Sequence, residues 1–175
     1  NALLQKEQTI VTPIAGTTRD SIDTKLKWYG KDIILVDTAG LRKKSKITDA
    51  VEFYSTVRTK RSVDKCDVAL VLIDAAKGFN KQDRSIIDQV LKTGKGLVIV
   101  VNKWDLIEKD THTMNEMRVT IREQFPKLDD FPILFVSALT RQRVSGLLKK
   151  AFSIYENYNR AISTKKLNTF LENAI

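Results

Sequence analysis

The stretch that most constrains this chain is residues 33–40, an apolar run that ends abruptly in Asp37, Thr38, Ala39 and Gly40. A short continuous apolar run is typical of a buried parallel strand, because both faces of such a strand are covered. Open α/β sheets bind their ligands at the carboxyl ends of their strands. Asp37 is therefore predicted to lie at the edge of a ligand pocket.

Two further apolar runs, residues 97–101 and 133–136, also lead into polar residues at their carboxyl ends. Since parallel strands end at the same edge of a sheet, the three loops are predicted to form one nucleotide pocket. The pocket residues predicted from the second and third loops are Asn102, Lys103, Trp104, Asp105, Ser137, Ala138 and Leu139.

Strand and helix patterns alternate along most of the chain. Residues 22–28 alternate between apolar and polar side chains and are predicted to form an antiparallel hairpin with residues 33–36. Residues 9–20 are predicted to be a loop, and residues 68–73 a strand. Helices are predicted over 51–63, 82–92, 114–125 and 144–158, the last packing Leu147, Leu148, Ala151, Phe152 and Tyr155 on the sheet. The fold class is α/β, a doubly wound, mainly parallel sheet with one antiparallel edge strand.

The composition limits the partners and the location of the chain. The net charge of +9 favours a polyanion such as RNA, although a solvated basic surface accounts for it equally well. No apolar run approaches the roughly 20 residues that span a bilayer, so no membrane partner is expected. The single cysteine, Cys66, is interpreted as a packing residue and is typical of a reducing cytoplasm.

Asp105 is the residue with the most specific chemistry. A carboxylate accepts two hydrogen bonds from the N1–H and the exocyclic amine of guanine, and adenine does not offer that pair of donors. A site built on this contact rejects the wrong base, because its own polar group is then left unpaired. Asp105 is therefore predicted to select guanine. Asn102 is predicted to hold the loop and face the base, and the Lys103 stem to lie over the purine ring.

The loop at Asp37 has the residue types of a magnesium and phosphate site. Mg²⁺ is held by one or two carboxylates or hydroxyls together with phosphate oxygens, and Asp37 and Thr18 are its predicted ligands. The Gly40 N–H can approach a γ-phosphate closely. Thr17 and Thr18 both offer hydroxyls, and either one can be the metal ligand. The simpler interpretation of Asp37 alone is a turn or cap residue. Residues 137–139 are expected to contact the base through backbone N–H groups.

These motifs together resemble a known family. Gly-Thr-Thr-Arg-Asp at 16–20, Asp-Thr-Ala-Gly at 37–40, Asn-Lys-Trp-Asp at 102–105 and Ser-Ala-Leu at 137–139 are similar to those of the double-Era-like bacterial GTPases, called EngA or Der. The likeness is to the second GTPase domain of that family, with a P-loop NTPase-like fold. It implies GTP hydrolysis coupled to assembly of the large ribosomal subunit. It also implies GTP or GDP, Mg²⁺ and K⁺ as cofactors and ribosomal RNA as a partner.

In that resemblance, Thr17, Thr18 and Gly40 belong to the reaction centre. The nucleotide-binding residues of the first loop are Asp37, Thr38, Ala39, Gly40 and Leu41. Leu41 stands where Ras-like enzymes carry a water-orienting glutamine, and leucine cannot position water. The basic loop at 41–50 is expected to be mobile and to report the nucleotide state.

The sequence also departs from the family pattern. No Gly-x-x-x-x-Gly-Lys-[Ser/Thr] phosphate loop occurs in it. The strand before that loop belongs between residues 33–36 and 68–73, so the chain is expected to be a fragment that binds GTP poorly on its own.

The resemblance divides the chain into a GTPase domain at 1–158 and a linker with the start of a KH-like domain at 159–175. The expected neighbours are a preceding GTPase domain and the rest of the KH-like domain. The alternative function is a nucleotide-independent RNA-binding or scaffold fragment.

Overall fold

The computed structural model of the protein describes residues 11–13, 23–36 and 59–174, which form strands and helices in a mixed order. The strands are β1 (Val11–Pro13), β2 (Thr24–Trp28), β3 (Lys31–Leu35), β4 (Val68–Asp74), β5 (Gly96–Asn102) and β6 (Ile133–Phe135). The helices are α1 (59–65), α2 (Lys81–Lys92), α3 (Thr113–Gln124), α4 (Val144–Tyr158) and α5 (Thr164–Ala174). Two short 3₁₀ turns lie at Trp104–Leu106 and Pro126–Leu128.

The parallel sheet has the order β4-β5-β6, with β5 in its centre. The register pairs Val68 with Gly96 at one end and Asp74 with Asn102 at the other, so β4 and β5 end level with each other. Side chains of β5 alternate between two apolar clusters, one on each face of the sheet. This burial on both faces explains why residues 97–101 form an uninterrupted apolar run.

Helices cover both faces of the parallel sheet. On one face, β5 packs against a cluster that contains Ile87 and Val90 of α2 and Ile121 of α3. On the other face, Val98 and Val100 pack with Val144 and Leu147 of α4. Each fully buried apolar side chain of this kind stabilises the fold by about 1.5–3 kcal/mol. The doubly wound α/β prediction is confirmed.

The antiparallel sheet has the order β1-β2-β3, and β2 and β3 form the predicted hairpin. Its turn is Tyr29 and Gly30, both with positive φ (47° and 74°). Positive φ at both central residues is the pattern of a type I′ turn, which matches the twist of the two strands. Glycine adopts this conformation without the steric penalty that a side chain brings.

Three details of the sequence prediction are wrong. Residues 11–13 form the short strand β1, antiparallel to β2, within the predicted loop 9–20. Ile34 is 54% exposed, although residues 33–36 were expected to be buried, because an apolar run does not by itself show that both faces of a strand are covered. Tyr155 is 41% exposed, and Ile154 is the residue of that turn of α4 that packs on the sheet.

The hairpin is joined to α4 by an aromatic and ionic contact. The rings of Trp28 and Phe152 stack with centroids 5.3 Å apart and planes 9° from parallel. Lys31 Nζ lies 4.5 Å from the centroid of the Phe152 ring and donates a hydrogen bond to Glu156 at 2.7 Å. This contact ties the antiparallel sheet to the helix layer of the parallel sheet.

Two further points concern the helices. Residues of α5 are exposed throughout, including Leu167, Phe170 and Leu171. Among the helices of the described ranges, none is long and apolar enough to cross a membrane. The predicted helical residues 51–58 and the basic loop 41–50 lie outside the described residues.

Candidate functional site

The carboxyl ends of β4 and β5 and the segment after β6 meet at one edge of the parallel sheet. Asp74, the last residue of β4, is level with Asn102, the last residue of β5. The next residue on, Ala75, donates its N–H to the Asn102 carbonyl at 2.9 Å, and Val136 N–H donates to Val101 at 2.9 Å. The loops that follow these strands therefore start from a rigid, hydrogen-bonded edge.

Asn102 ties two of these loops together. Its side-chain oxygen Oδ1 accepts a hydrogen bond from the Ala138 N–H at 3.0 Å, across 36 residues of sequence. The structure thus brings together Asn102 and the Ser-Ala-Leu segment, which the sequence predicted to share a pocket.

Trp104 anchors the loop from beneath. Its side chain is only 2% exposed, and its ring lies 4.6 Å from that of Phe135, measured between centroids. The backbone N–H of Trp104 donates a hydrogen bond to the Val136 carbonyl at 3.0 Å. Lys103, just before it, has the left-handed conformation (φ 62°, ψ 33°). The chain turns sharply at Lys103, so that Trp104 enters the core while Asp105 stays near the surface.

Asp105 has an unsatisfied acceptor. Its oxygen Oδ1 is shielded from solvent and accepts no hydrogen bond from the described residues. Buried acceptors are nearly always paired in native proteins, because an unpaired one costs the free energy of its lost hydration. This oxygen is therefore available to a donor from outside the described residues.

The loop after β6 is closed by its own hydrogen bonds. Ser137 is fully buried, its N–H donates to the Gln142 carbonyl at 3.1 Å, and its Oγ accepts from the Thr140 N–H at 3.0 Å. The N–H groups of Ser137 and Ala138 were predicted to contact a base, but both already donate within the protein. Leu139 is 82% exposed beside them.

Sequence reasoning missed the contact between Asp74 and Lys103. Its Oδ2 accepts a hydrogen bond from Lys103 Nζ at 2.5 Å, and its Oδ1 accepts from the Ala76 N–H at 3.0 Å. The Lys103 ammonium, and then the Ala76 N–H, hold the pKa of Asp74 below its ordinary value. The sequence feature that could have predicted this contact is an acidic residue directly after an apolar run, which is also the position of Asp37.

The remaining predicted site residues lie outside the described residues. No group of three or more histidine, cysteine or acidic side chains able to hold a metal occurs in residues 11–13, 23–36 and 59–174. The predictions for the phosphate and magnesium region concern Thr17, Thr18, Asp37, Thr38, Ala39, Gly40 and Leu41.

Comparison with known proteins defines the class of this chain. Residues 1–103 match the family described as "50S ribosome-binding GTPase". The chain belongs to that GTPase family.

The particular relatives are proteins called GTPase Der. The chain is 49% identical over 175 residues to GTPase Der of Chloroflexus aggregans, covering 100% of this chain and 39% of that protein. It is 50% identical over 171 residues to GTPase Der of Flavobacterium psychrophilum, covering 98% of this chain and 39% of that protein. The resemblance to the EngA or Der family is confirmed, and the chain spans well under half the length of these relatives.

Solved structures share the fold. Era in complex with MgGDPNP and a piece of 16S ribosomal RNA is 28% identical, with a TM-score of 0.66, over 88% of this chain and 50% of that chain. The elongation factor SelB of Methanococcus maripaludis, in complex with the GTP analogue GppNHp, has a TM-score of 0.61 at 20% identity over 83% of this chain and 30% of that chain. The SelB likeness concerns the fold alone.

Proposed function

We propose that this chain is the guanine-nucleotide-binding and GTP-hydrolysing part of a Der-type GTPase that acts in assembly of the large ribosomal subunit. The observation that carries the proposal is the unpaired, shielded Oδ1 of Asp105, in a loop fastened by Asn102 to Ala138. The N1–H and the exocyclic amine of guanine are a pair of donors that a carboxylate can accept, and the unpaired Oδ1 of Asp105 is available to one of them.

The roles of the individual residues follow from this proposal. Asp105 selects guanine, Asn102 holds the two base loops together, and the Lys103 stem covers the purine ring. Trp104 supports the loop from the core, and the segment 137–139 closes the far side of the base.

The phosphate end of the site is proposed on the resemblance. Thr18 and Asp37 hold Mg²⁺, and Thr17, Thr18 and Gly40 respond to the γ-phosphate. Residues 37–41 contact the phosphates, and K⁺ supports hydrolysis because Leu41 does not orient water. Catalysis of this kind is electrostatic positioning of charge and water, with no covalent intermediate on the protein.

The net charge of +9 and the complex of Era with 16S ribosomal RNA, which is RNA of the small subunit, support an RNA partner in general. The family description, "50S ribosome-binding GTPase", supports ribosomal RNA of the large subunit as the expected polyanion. Residues 1–158 are proposed as the GTPase domain and 159–175 as the linker into a KH-like domain, with another GTPase domain preceding them.

The test is a binding titration on the protein expressed with all residues of its natural chain. Fluorescent GDP is expected to bind more tightly than fluorescent ADP by a factor on the order of 10⁴, as for other sites that read a base by hydrogen bonds. GTP hydrolysis is then compared in K⁺ and Na⁺ buffers. Equal affinity for GDP and ADP would overturn the guanine assignment of Asp105. RNA binding that persists without any nucleotide binding would favour the scaffold function instead.

A further inference from the structure

We infer that Asp74 is a positioning residue for nucleotide binding, which anchors the Lys103 ammonium so that the lysine stem forms a wall of the base pocket. The inference rests on the proposed function and deepens it. Lys103 Nζ and Asp74 Oδ2 are 2.5 Å apart, although the two residues are separated by 29 positions in sequence. The contact bridges the carboxyl ends of β4 and β5.

Asp74 is a suitable anchor because it is itself held in place. It pairs with Asn102 in the register of the parallel sheet, and its Oδ1 accepts a hydrogen bond from the Ala76 N–H. Its side chain is 21% exposed. One oxygen is thus occupied by the backbone, and the other is left for a cation that arrives from the neighbouring loop.

Lys103 needs such an anchor. Its side chain is 52% exposed, and a lysine stem has four carbons that rotate freely when the ammonium is solvated. Lys103 stands between Asn102 and Asp105 in sequence, at the left-handed turn where the loop leaves β5. Holding the ammonium at Asp74 before the nucleotide arrives reduces the conformational freedom that binding must remove.

The charge state of the pair suits this role. An ordinary aspartate is ionised at neutral pH, and the hydrogen bond from Lys103 lowers the pKa of Asp74 further. Charge-assisted hydrogen bonds between an ammonium and a carboxylate are shorter and stronger than neutral ones. The anchor is therefore present under the conditions in which a guanine nucleotide would bind.

The experiment uses the protein with its full natural chain and measures the binding and dissociation of fluorescent GDP. Asp74→Asn keeps an acceptor for the Ala76 N–H and removes the charge that holds Lys103. It is expected to raise the Kd for GDP by about two- to tenfold, mainly through faster dissociation. The preference for GDP over ADP is expected to stay, because Asp105 reads the base. Asp74→Glu, which restores the carboxylate, is expected to recover part of the affinity.

The matched control is Asp88→Asn. Asp88 also pairs with a lysine, Lys127, at 3.0 Å and away from the site, so this variant removes the same kind of charge contact. Its affinity for GDP is expected to equal that of the wild type.

A double-mutant cycle separates positioning from a general loss of structure. Lys103→Met keeps the apolar stem and removes the ammonium. If Asp74 acts through Lys103, then adding Asp74→Asn to Lys103→Met causes no further loss of GDP affinity. Two results would overturn the inference: additive losses in the double variant, or an Asp74→Asn variant that binds GDP as tightly as Asp88→Asn. The proposed function would still stand in either case if the wild-type protein prefers GDP to ADP. A wild-type protein without preference for GDP over ADP would overturn both.

Discussion

Asp105 shows how one side chain decides which base a site accepts. Asp105→Asn exchanges one carboxylate oxygen for an amine, so the side chain no longer accepts two hydrogen bonds from guanine. The amide instead complements xanthine, which carries an oxygen where guanine carries the amine. We expect GDP affinity to fall by roughly 10²-fold, since a charge-assisted hydrogen bond contributes about 1.5–3 kcal/mol, and XDP affinity to rise. Titration with fluorescent GDP and XDP measures both.

The gain for XDP makes this prediction independent of folding. A variant that is merely destabilised loses both nucleotides together. Asp130→Asn, which changes an exposed carboxylate after α3, is the control and should leave both affinities unchanged. If Asp105→Asn weakened GDP without any gain in XDP, the base contact would have to be assigned to another residue.

For individual residues, the sequence predicted those parts of the site whose residues are close together in the chain. Asn102, Lys103 and Asp105 lie within four consecutive residues, so a single motif is sufficient to place them. The contact of Asp74 with Lys103 depends on two strands ending level, a register that no local pattern specifies. The hydrogen bond from Ala138 to Asn102, across 36 residues, depends on β6 as well.

Among the elements, α2 has the best-defined beginning. Asn80 Oδ1 accepts from the N–H groups of Gln82 and Asp83, and Asp83 Oδ2 accepts from the Asn80 N–H. This is a capping box, which satisfies N–H groups that have no partner within the helix. Asn80→Ala is expected to lower the free energy of unfolding by about 0.5–2 kcal/mol. Asn80→Ser keeps a capping oxygen, so its free energy of unfolding is expected to stay close to that of the wild type. Urea unfolding measures both variants, and equal loss in the two would show that the cap is not the cause.

Gly96, the first residue of β5, is required by close packing rather than by its backbone angles. A Cβ at this position would lie 2.7 Å from Ile154 Cγ2 and 2.9 Å from Val68 Cγ2. Both neighbours are branched at Cβ and have little freedom to move aside. Gly96→Ala is therefore expected to destabilise the fold by about 1–3 kcal/mol.

Gly146 provides the control for this prediction. It lies in α4, and a Cβ there meets no atom within 4 Å. Gly146→Ala is expected to stabilise the fold by about 0.5–1 kcal/mol, because alanine favours the helix. Thermal or urea unfolding of the two variants should give shifts of opposite sign. A stabilising Gly96→Ala would mean that α4 does not approach β5 so closely.

Helices and strands were predicted correctly where a periodic pattern of apolar residues, or a continuous apolar run, extends over several residues. Helix α4 agrees with its predicted bounds because its apolar residues recur over 15 residues. Strand β1 was missed because three residues are too few for an alternating pattern, and its pairing with β2 defines it. The exposure of Ile34 was missed because an apolar run alone does not show what covers it.

For the whole molecule, the order of strands and helices indicated the parallel sheet, but not how the hairpin docks. Lys31 and Glu156, which help to join the two sheets, are 125 residues apart. Contacts at that distance follow from the folded surface and have no local signal. The stacking of Trp28 on Phe152 is the part of this contact between the hairpin and α4 that a single substitution can test.

Trp28→Ala removes the stacked ring and is expected to loosen the hairpin from α4 while the parallel sheet keeps its core. Aromatic pairs contribute about 0.5–1.5 kcal/mol, so amide hydrogens of β2 and β3 should exchange roughly two- to tenfold faster. Those of β5 should keep their rates, because β5 is buried against α2 and α4. Hydrogen exchange read by mass spectrometry measures both, with Tyr158→Ala as the control, since Tyr158 of α4 is 56% exposed. Unchanged exchange in the hairpin would mean that strand pairing alone holds it, and faster exchange in β5 would mean that the joint stabilises the whole domain.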